Sequence, residues 1–240
     1  MAVKNYAKKQ KLRGEQVTQL DTFLNDVQTT NIQSYALAVL LSPKLAQYRG
    51  DLSVQHVMEI LMKHRFDMPP GIENNPADMQ KLFASVRVTR TNESGQKIIV
   101  DLEPSQHQNL FALAQALVDG TKCRITNALC GRIALMRDVF LQNSGTTYWT
   151  DLDKALVVMR QIAKGNDEAR DAMFEELIIT DKELHGAVDI VYQPTNDVQQ
   201  EVDDLIDASS ADAASTPTTA SNISPPPEGE SDVQPEGESA

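Results

Sequence analysis

Two basic residues, Lys122 and Arg124, have the types and spacing that best fit a chemical task, the binding of phosphate groups. They lie two residues apart, just after the apolar run that ends at Asp119-Gly120. Two cations held beyond the end of a rigid helix can clamp a phosphate. The same residues also fit a solvated helix end, because the helix dipole alone favours Lys and Arg near helix C-termini. Their spacing leaves both interpretations open.

The other reactive side chains form no recognisable catalytic or metal-binding motif. None of the four histidines has the spacing of a zinc ligand, and His56 and His64 fall about 80° apart around one predicted helix. The cysteines, Cys123 and Cys130, are seven residues apart without a neighbouring histidine, which is typical of reduced thiols. No phosphate-binding glycine loop or dinucleotide motif occurs. The sequence therefore predicts a non-enzymatic protein with no catalytic residue, no cofactor and no metal site.

A small β-hairpin and an apolar helix are predicted to position the two cations. Val86, Val88 and Arg90 alternate with polar residues, residues 92–95 supply an Asn-Glu-Ser-Gly turn, and residues 98–102 form the return strand. The hairpin therefore covers residues 86–102. A helix then begins at Pro104-Ser105 and has one buried face with spacing of three and four residues. The residues of that face are Leu110, Leu113, Ala114, Leu117 and Val118.

Helical spacing of apolar residues over the rest of the chain predicts a mainly α fold. The architecture we expect is an antiparallel helical bundle with a four-helix-like core and one small β-hairpin. No run of 18 apolar residues occurs and the first residues lack an apolar signal segment, so we expect no membrane partner. The further predicted helices cover residues 17–27, 31–41, 52–64, 128–141, 151–163 and 167–178.

Charge is distributed unevenly and suggests three regions. Residues 1–13 carry a charge of +5, residues 14–182 carry −4 and residues 183–240 carry −13, which gives the net charge of −12. We expect a basic disordered leader (1–14), a helical bundle domain (15–193) and a disordered acidic tail rich in Pro, Ser and Glu (194–240). A nearly neutral body argues against tight, non-specific binding of duplexes but leaves room for a local basic site.

Several segments give the chain a family resemblance. Asp119–Ile125 reads Asp-Gly-Thr-Lys-Cys-Arg-Ile after the hairpin and helix, and residues 170–175 read Arg-Asp-Ala-Met-Phe-Glu. In this order the chain resembles the coat proteins of rod-shaped plant viruses of the tobacco mosaic virus kind, which carry an Asp-Thr-Arg-x-Arg-Ile-like segment and a later Arg followed by Phe-Glu. Residues 148–151 depart from the Arg-Val-Asp-Asp of that family, and the leader and tail have no match in its smallest members.

The resemblance implies a function. A coat protein of this kind self-assembles into a helical rod and packages single-stranded genomic RNA, so its partners are copies of itself and RNA, and its location is the virion in the host cytoplasm. Lys122 and Arg124 take the positions of the two basic residues that contact RNA phosphates in the family. The alternative is a cytoplasmic helical adaptor or regulatory protein, cellular or from a phage, with an acidic recruitment tail.

Overall fold

The computed structural model describes residues 32–65, 68, 70–103 and 109–214, with side chains as far as Ser209. These residues are mainly helical, and no strand occurs among them, which confirms the predicted mainly α class. No helix in this part of the chain is long and apolar enough to cross a membrane. The leader and the helix predicted over residues 17–27 lie outside the described residues.

The helices follow one another with short connections, and several agree closely with the sequence periodicity. A 3₁₀-turn (Ile72–Asn74) precedes the third helix, and a π-helix (Thr89–Ser94) joins the third helix to the fourth. The α-helices are α1 (Gln33–Leu41), α2 (Leu52–His64), α3 (Pro76–Val88), α4 (Gly95–Leu102), α5 (Leu110–Val118), α6 (Asn127–Gln142), α7 (Tyr148–Ala163), α8 (Asp167–His185) and α9 (Asp197–Ala214).

Helix α6 is the centre of the core. It is buried over nearly its whole length from Leu129 to Phe140, and it packs against α5, α7 and α8. Thr126 begins it as an N-cap, accepting a hydrogen bond from the Leu129 amide at 3.1 Å. Helix α1 is also buried nearly all round, because it is covered by α2, α9 and the π-helix. Helices that are apolar on every face belong in the interior of a fold.

Helices α6 and α8 approach each other very closely. A Cβ atom at Gly131 would lie 2.7 Å from the Cβ of Phe174, so only glycine fits there. A buried ion pair lies further along the contact, with Arg137 Nη1 3.4 Å from Asp181 Oδ1. Burial lowers the pKa of Arg137 and raises that of Asp181, while each charge offsets part of the shift of the other. The ion pair fixes the position of α8 along α6, since neither charge can be left buried alone.

The predicted hairpin over residues 86–102 is wrong, because this segment is helical. The buried residues Leu82, Val86, Ile98 and Leu102 lie at multiples of four residues from one another, which is a helical spacing. The alternation that suggests a strand covers only six residues. The predicted turn at residues 92–95 lies within the π-helix and the start of α4, and the Gly95 amide donates to the Arg90 carbonyl.

The acidic tail expected to be disordered from residue 194 begins instead with α9. Val198, Val202 and Ile206 recur at a spacing of four, and Val202 and Ile206 are each only 1% exposed. Helix α9 packs against α1 and α2, on the N-terminal half of the molecule. The many acids between its apolar residues give the segment the composition of a disordered chain, but one narrow apolar face is enough to dock it.

Candidate nucleic-acid interface

The loop that follows α1, residues 42–50, is held by side chains that bind its backbone. Arg132 of α6 donates to the carbonyls of Pro43 and Leu45, and Arg90 of the π-helix donates to the carbonyl of Tyr48. The Asp153 carboxylate of α7 accepts from the Tyr48 amide at 2.6 Å and from the Arg49 amide at 3.1 Å. Three separate elements therefore fix the backbone that presents Arg49.

Arg132 is a buried cation, only 2% exposed. Its guanidinium lies over the rings of Tyr48, at 5.9 Å, and Phe174, at 5.6 Å. No carboxylate of the described residues lies within ion-pair distance, so carbonyl oxygens and aromatic faces supply its stabilisation. Arg132 therefore acts as a positioning residue, because it holds the loop at residues 42–50 from the core side.

Three arginines line an open cleft of about 610 Å³ between this loop, the end of α3 and the start of α7. Arg49 donates from Nη1 to the Thr150 hydroxyl at 3.0 Å. Arg87 pairs with Asp51 at 2.5 Å, and about half of each of these side chains is exposed. Arg90 reaches the cleft from the π-helix. The remaining wall is polar, with the hydroxyls of Thr91, Thr146, Thr147 and Thr150.

An aromatic group forms the inner side of the cleft. Trp149 stacks on Tyr48, with ring centroids 5.3 Å apart, and meets Tyr148 edge to face at 4.8 Å. The guanidinium of Arg90 lies 5.9 Å from the Trp149 ring. Burial lowers the pKa of Arg90, and the nearby acids Asp153 and Asp51 act in the opposite direction. The stacked rings make this side of the cleft rigid and keep Arg90 in place.

A second hollow, of about 880 Å³, continues from the cleft along α7. Ala46, Val157 and Val158 make it partly apolar, while Lys154 and Arg160 place two more cations on its wall. Burial and the charge of Arg132 lower the pKa of Arg160, and Asp153 raises it. The two hollows share Arg49, Gly50 and Thr150, so they form one continuous groove.

The acids of this groove are already engaged. Asp51 pairs with Arg87, Asp151 pairs with Lys154 at 2.8 Å, and Asp153 accepts the two loop amides. Arg49, Arg90 and Arg160 have no carboxylate within ion-pair distance among the described residues. The groove therefore contains positive charges that no carboxylate of the described residues neutralises. Guanidinium groups beside hydroxyls can donate hydrogen bonds to phosphate oxygens.

Lys122 and Arg124 lie elsewhere, on the non-helical connection between α5 and α6. Gly120 turns the chain after α5 with φ +74°, and both cationic side chains are exposed. Their backbone is held by α9 and the residue before it. The Arg124 amide donates to Gln199 Oε1 at 3.0 Å, and Asn196 Nδ2 donates to the Lys122 carbonyl. The structure thus presents the two predicted phosphate contacts on a fixed backbone, apart from the arginine groove.

The remaining reactive groups do not assemble a catalytic site in the described part of the chain. His56 is buried without a hydrogen-bond partner for either ring nitrogen there, and burial lowers its pKa. Burial raises the pKa of the Cys130 thiol to about 12, and both cysteines are free. No group of three potential metal ligands lies together among these residues. His107 lies outside the described residues.

Sequence reasoning misses the arginine groove because its members come from three distant segments. One signal is present: Arg87 and Arg90 are three residues apart, and on a helix that spacing puts both on one face. Because a strand is predicted there, the shared helical face of the two arginines is not recognised. It becomes apparent only when the residues between Val86 and Ile98 are assigned to two α-helices joined by a π-helix.

Comparisons with known proteins assign no family. No protein-family model matches the chain, and neither a curated protein nor a solved structure shows significant similarity to it.

Proposed function

We propose that this protein is a non-enzymatic structural subunit that binds single-stranded RNA and assembles with copies of itself. The observation that carries the proposal is the continuous groove with Arg49, Arg90 and Arg160, which have no carboxylate partner among the described residues. Phosphates of a flexible strand would bind these guanidinium groups, with the threonine hydroxyls as further donors.

A single strand fits the groove better than a duplex. The rest of the surface carries many acids, and a duplex would need a broad cationic face to neutralise its closely spaced phosphates. A single strand can follow a narrow groove, and repeated weak contacts along a polymer of subunits add up to tight binding. A few cations in each subunit are therefore sufficient.

Self-assembly is supported by apolar side chains left on the surface. Val157, Val158 and Ile162 of α7 are 44%, 50% and 61% exposed, and Leu184 at the end of α8 is 68% exposed. Apolar residues grouped on one helix are typical of a protein contact surface. The packing of α6 against α5, α7 and α8 also fits the proposed helical bundle.

The rod-shaped coat protein stays part of the proposal, with Lys122 and Arg124 as a further pair of RNA contacts. The absence of a hairpin from the described residues removes one element of that resemblance, while the segment from Asp119 to Ile125 and its exposed cations remain. The adaptor alternative depends on an acidic arm that is free to recruit a partner. The docked position of α9 makes the first part of that arm a component of the body.

Equilibrium binding to RNA tests the proposed function. We would measure fluorescence polarisation of a labelled oligouridylate, about 20 nucleotides long, at several salt concentrations. The cleft variant, Arg49→Gln/Arg160→Gln, removes two exposed cations of the groove that have no carboxylate within ion-pair distance among the described residues, and Arg170→Gln/Lys182→Gln removes the same charge from α8 as the matched control. The cleft variant should bind about tenfold or more weakly, because it cannot form the charge-assisted hydrogen bonds to phosphate.

The salt dependence of binding distinguishes the loss of specific phosphate contacts from the effect of a lower net charge. The slope of log affinity against log salt should fall by about 0.7 for each phosphate that the variant no longer neutralises on a single strand. A cleft variant that binds as tightly as the α8 control, with the same slope, would contradict the proposed site. Wild-type protein with no measurable affinity for the oligouridylate would contradict the proposed function itself.

A further inference from the structure

Helix α9 covers a second surface with the chemistry of a nucleic-acid site. At its sides lie two lysines, Lys44 and Lys63, whose side chains stay 30% and 64% exposed, and a pair of rings, Tyr35 and His64, whose nearly parallel planes have centroids 6.4 Å apart. Cations next to aromatic rings are what proteins use to hold single-stranded nucleic acids, since the rings can stack on bases while the cations bind phosphates.

Several polar and ionic contacts join α9 to this surface. Asp207 lies 3.1 Å from Lys44 Nζ, while Glu201 pairs with Lys63 and lies 2.7 Å from His64 Nε2. Asp203 accepts a hydrogen bond of 2.5 Å from the Ser42 hydroxyl. These carboxylates lie on the two sides of the buried Val202–Ile206 stripe of α9, with Glu201 on one side and Asp203 and Asp207 on the other. They occupy positions that phosphates would take beside the two lysines.

The apolar contact of α9 with the body is narrow. Val202 and Ile206 are fully buried and Val198 and Leu205 are partly buried against the core, whereas α6 is buried on nearly every side. A connection of non-helical residues, 186–196, separates α9 from α8. Surface ion pairs contribute little to stability and weaken in salt. A polyanion can therefore compete with α9 for the lysines without unfolding the core.

We propose that α9 is an intramolecular competitor that covers a second single-stranded RNA site, formed by Lys44, Lys63, Tyr35 and His64. Lys122 and Arg124 lie at the edge of the covered surface, because their backbone is bonded to Asn196 and Gln199 next to the start of α9. RNA bound to these two exposed cations would be placed to displace α9 and extend over the uncovered lysines. This inference rests on the proposed function for its choice of RNA as the ligand.

Neutralising these acidic residues of α9 in the full chain tests the proposal. Glu201→Gln/Asp203→Asn/Asp207→Asn removes the charges that hold α9, and Glu168→Gln/Glu176→Gln/Glu183→Gln removes three exposed acids from α8 as the matched control. The α9 variant should bind the labelled oligouridylate about tenfold more tightly than the α8 control. Adding Lys44→Gln/Lys63→Gln to the α9 variant should abolish that gain.

An engineered disulfide that locks α9 in place until it is reduced provides the second measurement. Ser42→Cys/Asp203→Cys, made together with Cys123→Ser because Cys123 lines the same small cavity as Asp203, should form a disulfide that holds α9 closed. The oxidised protein should bind RNA more weakly than the reduced protein, and reductant should restore affinity. This comparison stays informative if the triple α9 variant fails to fold.

The possible outcomes separate the inference from the proposed function. Equal affinity of the α9 and α8 variants, together with equal affinity of the oxidised and reduced lock, would overturn the covered site while groove binding by wild-type protein persists. An oligoglutamate peptide that binds the α9 variant as tightly as RNA would also overturn it, because the rings would then give no preference for nucleotides. Loss of RNA binding by every form of the protein would refute the proposed function.

Discussion

Individual residues in this protein take on roles that their chemical type alone does not indicate. Arg132 is a cation in the core, yet its contacts are with carbonyl oxygens of the loop at residues 42–50 and with aromatic rings. The sequence predicts that Arg87 and Arg90 alternate along a strand, but in the structure they line one cleft from adjoining helices. At this scale the sequence identifies which side chains are charged, while the fold decides which of them face solvent, the core or each other.

The close approach of α6 and α8 predicts a sensitive glycine. Gly131→Ala should destabilise the protein by about 1–3 kcal/mol, because the new methyl group overlaps with Phe174 in a packed core. Urea denaturation would measure this change. In a Phe174→Ala background the same substitution should cost less, since the Cγ and Cδ1 contacts at 3.1 and 3.3 Å are gone and α8 can shift to relieve the remaining Cβ contact. Equal costs in both backgrounds would show that the contact does not limit the helix spacing.

The burial of His56 predicts that the free energy of unfolding decreases as the pH falls. Burial lowers its pKa in the folded protein, so the unfolded chain binds the proton more readily. The contribution of His56 is therefore fully present above its unfolded pKa of about 6.5 and is lost as the pH falls below that value, by at most about 1.4 kcal/mol per pH unit. In His56→Leu, the urea midpoint of unfolding should change less between about pH 6.5 and 5 than it does in wild type. Parallel profiles would contradict this role.

At the scale of elements, the agreement between sequence and structure follows the length of each apolar pattern. The sequence predicts helices α2 and α6 to within a residue at each end, because their patterns are long and regular. It fails for the segment 86–102, since a short alternation of six residues suggests a strand there, whereas the buried residues Val86, Ile98 and Leu102 lie at multiples of four. It also misses α9, because the narrow apolar face of that helix lies within an acidic composition that is typical of disorder. Tertiary contacts decide which secondary structure such segments adopt.

The limited anchoring of α9 predicts that it can detach alone. Ile206→Ala should increase hydrogen exchange of the α9 backbone amides by about tenfold or more, while amides of α6 stay protected, because local opening need not involve the core. Mass spectrometry of peptides after exchange would measure both. If the α6 amides lost protection to the same extent, α9 would be an integral part of the cooperative core.

At the scale of the whole molecule, the charge distribution and the fold are consistent with the proposed binding of RNA at a few defined places. The acids of α9 are paired with lysines on its own body, and the spare cations are collected in one groove. The predicted pair Lys122 and Arg124 adds a separate exposed contact. Their removal, Lys122→Ala/Arg124→Ala, should leave the circular dichroism spectrum unchanged and lower the salt slope of RNA binding by about 0.7 for each phosphate released. An unchanged slope would assign both residues to the solvated surface.

The amount of nuclease-resistant RNA that co-purifies with assembled protein tests the central claim most directly. Wild-type protein expressed in cells should form large particles that retain protected RNA, since each subunit binds a short stretch of the strand and repeated contacts multiply. The cleft variant, Arg49→Gln/Arg160→Gln, should fold normally by circular dichroism but protect little RNA, while Arg170→Gln/Lys182→Gln should match wild type. Wild-type amounts of protected RNA in the cleft variant, or wild-type protein that remains small and free of RNA, would contradict the account.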